Sequence, residues 1–411
     1  MPTVPPRDTR LLLLTLCQGF AFTHNVTFIA INGLVGLALA PTAWLATLPV
    51  SGYVLGAALS TGLVARHQRR FGRQRAFMLG NVVAFLAALV CALAVVQQSF
   101  WLLVAATLVA GYANANASLY RFAATEIVEP ALKERAISWV LAGGIIGGVV
   151  GPNLANHAKD WIAQAPFAGA YVALSAIALV AMALMSRIAF PPVTGIAGAA
   201  GSSGAATLGR PLREIARQPK FIVAVAACAL GYGVMNLLMA ATPIAMAQCK
   251  HPFSAAVLVL EWHVIAMFVP SFFTGSLIRR VGTWPVMAAG VVLNLACIVV
   301  ALMGVELMHF MVALIALGVG WNFLFIGGTT LATETYRPEE RTRAQAAIDF
   351  AVYATMTVTS FSSGALVTTG GWASMNLGSL VPMALLIAAL AWLRLGAPSA
   401  PSASAGGPIA K

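Results

Sequence analysis

Charge is what this sequence has least of: 9% of its 411 residues are Asp, Glu, Lys or Arg, where a soluble domain carries about a quarter. Only 12 residues are acidic. So few charges exclude a water-exposed surface over most of the chain. Cysteine is scarce and unpatterned: Cys17, Cys91, Cys228, Cys249 and Cys297 form no Cys-x-x-Cys pair, and their odd number fits no disulfide framework. No glycine-rich phosphate loop ending in Gly-Lys is present, which excludes an ATP-driven pump. No constellation of catalytic residues is evident, so an enzyme is not expected.

What is there is apolar. Hydrophobic residues make up 60% of the chain, and the mean hydropathy is +0.87. Continuous apolar runs recur from end to end, each long enough to cross about 30 Å of hydrocarbon as a helix. They do not alternate as barrel strands would, and in lipid only helices or closed barrels satisfy their own backbone. The sequence predicts an all-α membrane protein with twelve transmembrane helices: 11–38, 43–65, 76–97, 100–125, 136–156, 167–187, 221–247, 253–278, 286–304, 308–332, 345–366 and 375–396. No cleaved signal peptide is read at the N-terminus, so the first run is expected as a retained span. The Ala/Ser/Pro/Gly-rich tail, 397–411, is expected to be disordered.

Basic residues set the expected orientation. Twelve spans place both termini on one side, together with Arg7, Arg10, Arg66, Arg69, Arg70, Arg73, Arg75, Lys133, Arg135, Arg210, Arg213, Arg217, Lys220, Arg279, Arg280, Arg337, Arg341 and Arg343. Lys159 and Lys250 alone fall opposite. That asymmetry predicts cytoplasmic termini. The net charge of +12 then reflects topology and contact with anionic lipid rather than nucleic-acid binding, for which no domain is available.

The polar stretch 188–220 divides the chain into an N-terminal six-helix bundle, 1–187, and a C-terminal one, 221–396. An internal repeat supports the division. Ala124-Thr125-Glu126, Pro130 and Arg135-Ala136 recur as Ala332-Thr333-Glu334, Pro338 and Arg343-Ala344, all at an offset of 208, which also pairs Asn114 with Asn322. Two parallel six-span repeats with a site between them describe a secondary transporter.

The chemistry-bearing residues gather around the turn at His251. Met235 and Met239 lie on span seven; His263 and Met267 lie on span eight. Each pair is spaced by four and so lies on one helical face. Met239 and His263 are each twelve residues from His251, and Met235 and Met267 each sixteen, so antiparallel helices would set them at matched depths. Cys228 and Met246 extend the same face of span seven, and Cys249 and His251 stand at its rim. Thioether, thiolate and imidazole ligands suit Cu(I). Methionine also fills gaps in any apolar core, so packing is the alternative. Pro243 and Pro270 fall four residues after Met239 and Ala266, where each removes a backbone hydrogen bond and bends its helix. The remaining intramembrane ionisable groups are His24, Glu261 and Asp349; Glu261 and Asp349 are candidates for proton coupling, with a structural hydrogen-bonding role as the alternative for each.

The repeat and the twelve spans resemble the major facilitator superfamily over essentially the whole chain. That family's loop after span two reads Gly-x-Leu-Ala-Asp-Arg-x-Gly-Arg. Here Gly62-Leu63-Val64-Ala65-Arg66 carries Arg66 in the acidic place, and Gly275-Ser276-Leu277-Ile278-Arg279 repeats the departure at Arg279. Glu126 and Glu334 are candidates to meet Arg66 and Arg279 at the gate, with ordinary solvated loop charges as the alternative. Gly147-xxx-Gly151-Pro152 resembles part of the drug/proton antiporter motif, without its following glycine pair. Met235-xxx-Met239 and His263-xxx-Met267, with Cys249, resemble the motifs of the CcoA-type bacterial copper importers. That resemblance implies copper as cargo with no resident cofactor, uptake across the inner membrane, and supply of a cbb3-type haem–copper oxidase. It also implies those four residues as ligands and a cytoplasmic copper chaperone as receiving partner. The wider group includes riboflavin importers, which leaves a flavin as the competing substrate; a drug-type exporter is the third reading. Aligning Gly19 with Gly231 places His24 opposite span seven, facing the site from the other half.

Overall fold

The computed structural model describes residues 9–129, 132–191 and 209–395. Arg7, Pro130, the Gly195–Ala206 part of the linker and the tail at 397–411 lie outside them. The described residues are helical, with no strand among them. Eleven helices are long and apolar enough to cross a membrane: Thr9–Leu39, Ala43–Phe71, Arg73–Val96, Phe100–Ala124, Ala136–Ala158, Ala168–Met185, Pro219–Gln248, Thr283–Met303, Leu307–Thr333, Arg343–Thr369 and Gly371–Leu395. A bent pair, Phe253–Phe268 and Ser271–Val281, supplies the twelfth. These are spans one to twelve in chain order, with the bent pair as span eight. Their ends fall within a few residues of the sequence-predicted ones.

The first six spans and the last six pack with the same pairings. Span one lies against five, two against four, and three against four and six. In the second half, seven lies against eleven, eight against ten, and nine against ten. Between the halves, one meets seven, two meets eleven, and five meets eight.

The two prolines of the second half behave differently. Span eight is bent by 43° where Pro270 interrupts it. Asn322 Nδ2 takes up the Met267 carbonyl there, at 2.8 Å, and donates to Ser271 at 2.6 Å. Pro243, in contrast, sits inside the continuous helix Pro219–Gln248. The residues around it are buried among neighbouring spans, and the helix continues through it.

Spans one and five approach at their backbones. A Cβ on Gly147 would lie 2.5 Å from the Gly19 carbonyl oxygen, and Thr27 Oγ1 donates to the Gly151 carbonyl at 2.9 Å. The Gly147-xxx-Gly151 spacing thus serves close helix contact, as small residues do in membranes.

Candidate functional site

The four residues singled out as metal ligands are all buried: Met235, Met239, His263 and Met267. His263 is held by the Leu314 carbonyl of span ten, which accepts from Nδ1 at 2.7 Å. Its Nε2 is left without a partner. Spans seven and eight, although joined by a tight turn at Lys250 with φ 64°, each lie more extensively against span ten than against each other. Among the described residues, no cluster of three or more His, Cys, Asp or Glu side chains is placed to hold a metal.

The accessory residues have other partners. Cys228 points its thiol toward the Phe325 carbonyl at 3.9 Å. His251 Nε2 donates to the Val305 carbonyl at 2.7 Å, tying one loop to the next. Met246 is buried in the core, and Cys249 is half-buried at the rim, where partial burial raises its thiol pKa.

His24 does not face span seven. It lies inside the first half, against the Leu174 carbonyl of span six, and lines a cavity with Tyr53, Asn81, Asn114 and Tyr120. Phe22, two positions earlier, does face the second half, and two residues of an α-helix turn about 200°. Matching Gly19 to Gly231 located the right depth on span one but the wrong face.

Phe22 belongs to an aromatic cluster at mid-membrane where the halves meet. Its ring meets Phe268 edge-on at 5.1 Å, and Phe268 meets Trp321 at 6.3 Å. Trp321 stacks on Phe325 at 5.2 Å with 10° between planes, and Tyr232 stands edge-on to Trp321 at 5.1 Å. Trp321 is buried and its indole N–H has no partner. The other four rings are half-buried. Such an array offers flat apolar faces together with a buried, unpartnered indole donor, which suits a planar heterocycle with acceptor atoms. Residue spacing did not expose the cluster, since its rings come from four spans. The one local signal was Trp321 itself, a tryptophan in the middle of a span rather than at the interfacial belt.

The hydrogen bonds that join the halves lie on the side away from the termini. Thr47 Oγ1 donates to the Ser360 carbonyl at 2.6 Å and accepts from the Gly364 N–H at 2.9 Å. Asn153 Nδ2 donates to Glu261 at 3.2 Å, so Glu261 is part of this clasp. Asp349 is exposed on span eleven, within reach of the Arg121 charge.

At the terminal side, the expected gate pairs are not formed. Glu126 pairs with Arg73 at 2.6 Å and Glu334 with Lys220 at 2.8 Å. Arg66 is exposed, and Arg279 donates to the Ser276 hydroxyl one turn back. Gly72, at φ +78°, ends span two and turns the chain so that Arg73, not Arg66, is aimed at Glu126. A neutral amide does the bridging: Gln68 accepts from Arg73 and donates to Asn116 at 3.3 Å.

Known proteins share this arrangement. The family model described as Major Facilitator Superfamily matches residues 11–304. The chain belongs to the major facilitator superfamily. This is a family of membrane transporters, not a class of enzymes, and the chain is a secondary transporter of that family with a multi-pass membrane fold. It is 40% identical over 366 residues to the riboflavin transporter RfnT of Brucella anthropi, covering 89% of this chain and 91% of that one. Among solved structures, the nucleoside transporter NupG superposes with a TM-score of 0.73 at 14% identity, covering 95% of this chain and 100% of that one. A D-xylose–proton symporter gives a TM-score of 0.73 at 14% identity, with 94% and 97% covered. These two likenesses concern the fold. The relative at 40% identity moves the functional reading away from the copper importers and toward the flavin alternative.

Proposed function

We propose that this facilitator imports riboflavin, or a flavin of closely similar shape, across the cytoplasmic membrane by alternating access. The 40% identity with RfnT along nearly the whole of both chains carries the reading. The aromatic cluster supports it. An isoalloxazine is flat, apolar on its methylated edge and rich in carbonyl and ring-nitrogen acceptors on the other. Phe22, Phe268, Tyr232 and Phe325 offer ring faces and edges to the first, and the free Trp321 N–H offers a donor to the second. The cluster bridges the halves, so its two walls separate when the halves rock. A ligand held there is exposed to one side and then the other. The distribution of basic residues supports cytoplasmic termini, an orientation in which the Thr47 and Asn153 clasps close the outer side.

Copper is the second reading, favoured by one observation. His263 gives Nδ1–H to a backbone carbonyl and keeps a buried, unpartnered Nε2, the orientation in which histidine ligates metal. Met235, Met239 and Met267 would then be the soft partners.

One experiment separates the two. Cells that depend on external riboflavin and lack their own importer are given the chain, and labelled riboflavin and labelled copper are followed in parallel. The expected result is saturable riboflavin accumulation with copper at background. Background riboflavin with the protein present in the membrane overturns the flavin reading; copper accumulation that is lost in His263→Ala installs the second.

A further inference from the structure

The first half encloses a polar cavity that flavin recognition leaves unused. It holds about 30 Å³ for water centres, room for one or two waters. Its polar lining comes from His24, Tyr53, Asn81, Asn114 and Tyr120, and the remaining lining is phenylalanine and alanine. One of its polar atoms, His24 Nε2, has no partner, although His24 is only 9% exposed. Leaving a buried polar atom unmatched is costly, and ionisable groups within spans are functional by default.

The groups facing His24 are few. Span two brings Tyr53, span three Asn81, span four Asn114 and Tyr120, and span six the Leu174 carbonyl. Cys17, two turns back on span one, acts on Tyr120. No carboxylate, lysine or arginine lines the cavity. Of these groups only the imidazole has an ordinary titration range between about pH 5 and 8.

The placement on span one gives that titration a route to the substrate site. His24 and Phe22 stand on opposite faces of one turn. The first faces the cavity; the second touches Phe268 across the halves. Further along the same helix, Gly33 packs on Ile244 of span seven. A charge appearing at His24 must be solvated by the cavity's hydroxyls, amides and waters. Any shift of span one toward that arrangement is felt at both contacts with the second half.

We propose that His24 is the proton site of this transporter, coupling flavin movement to the proton gradient. The proposal rests on the flavin reading. On the side of higher proton activity the Nε2 lone pair takes a proton and the ring becomes imidazolium. On the other side the same N–H bond breaks and the proton leaves; no other bond changes. His24 touches no flavin in this scheme and acts through span one.

The test uses the full chain in proteoliposomes with labelled riboflavin, measured in two modes. Counterflow exchange needs no gradient, whereas net accumulation against a riboflavin gradient needs coupling. A gradient of one pH unit supports about tenfold accumulation per coupled proton. His24→Gln and His24→Asn are expected to keep counterflow within about twofold of wild type and make its rate flat with pH, while gradient-driven accumulation falls about tenfold to the equilibrium level. Accumulation equal to wild type in either variant overturns the proposal. So does loss of counterflow in both, which would make His24 a structural residue. A wild-type protein that exchanges no riboflavin overturns the flavin reading, and this proposal with it. Wild-type exchange with no response to the pH gradient overturns the proposal alone.

Discussion

The two halves solve the same packing problem by different chemistry. Spans one and five in the first half correspond to seven and eleven in the second. One and five touch through glycine, with Gly147 and Gly151 seated on the backbone of Gly19 and Thr23. Seven and eleven are joined by side chains instead. Asn236 Nδ2 donates to the Met356 carbonyl at 3.1 Å and to the Thr359 and Ser360 hydroxyls at 3.1 and 2.7 Å, and Ser363 donates to the Leu237 carbonyl at 2.9 Å. Both are accepted ways to bind helices in lipid, where no hydrophobic force acts between them. The interiors differ as well: the first half holds a small cavity with a partly polar lining beside span one, while the second half fills its interior with rings and thioethers. A duplicated frame thus carries two unlike contents, one polar and proton-accepting, the other aromatic and soft.

The largest expected effect attacks the packing side of that contrast. Gly147→Leu forces a side chain into the Gly19 and Thr23 backbone, which cannot yield as a flexible side chain would. Overpacking of this kind costs about 1–3 kcal/mol and more when backbone must move. The variant is expected to fail as a monodisperse species in size-exclusion chromatography. Asn236→Leu, which removes interhelical hydrogen bonds worth about 1 kcal/mol in a membrane, is expected to remain monodisperse with a lowered Tm. Equal behaviour of the two variants would break the contrast. Gly62→Leu, with nothing within 4 Å of its Cβ, is the neutral control.

The next effect sharpens the contents side. Trp321→Ala removes the ring at the centre of the cluster and its buried indole donor. If flavin binds there, riboflavin affinity falls about tenfold or more, since a lost central ring costs at least about 1.4 kcal/mol. Trp392→Ala, on an exposed face of span twelve, should leave it unchanged. Binding can be followed by quenching of flavin fluorescence. An unaltered affinity in Trp321→Ala would remove the cluster from the flavin path.

How much of this could be read from the residues depends on whether a feature is local. The spans were legible because twenty consecutive apolar residues state their own environment. The bend in span eight was legible because a proline removes a fixed hydrogen bond; Pro243 shows the limit, since its helix continues through it. The repeat at offset 208 located Asn114 and Asn322, but not their unlike duties. Asn114 lines the cavity beside His24, whereas Asn322 repairs the backbone at Pro270. The side faced by His24 was misread because alignment fixes depth along a helix, whereas the face turns by about 100° per residue. The gate partners were misread because Gly72 redirects the chain, which puts Arg73 rather than Arg66 beside Glu126. The rings at Phe22, Tyr232, Phe268, Trp321 and Phe325 come together only in three dimensions.

The smallest expected effect concerns the terminal side, where the halves differ again. The first half holds the pair Arg73–Glu126. The second adds a clamp from the linker: Glu340 accepts from Arg210 Nη2 at 2.9 Å, from Nε at 3.0 Å, and from the Arg210 and Arg337 backbone N–H groups. Arg343 donates to the Arg210 carbonyl, and Gly209 lies where a Cβ would strike Glu340. The Glu340 side chain is covered by these partners although it lies near the surface. Hydrogen bonds from the Arg210 guanidinium lead in lowering its pKa to about 2, from the ordinary 4.5. A carboxylate with a lowered folded-state pKa stabilises the fold above its unfolded pKa, and that contribution disappears as pH falls through the folded value. Thermal unfolding of wild type and Glu340→Gln should therefore differ at neutral pH, with wild type the more stable. The difference should shrink from about pH 4.5 downward and vanish near pH 2. A difference that persists unchanged at the acid end would mean that the clamp holds by packing of Gly209 and the linker backbone, and that its charge is incidental.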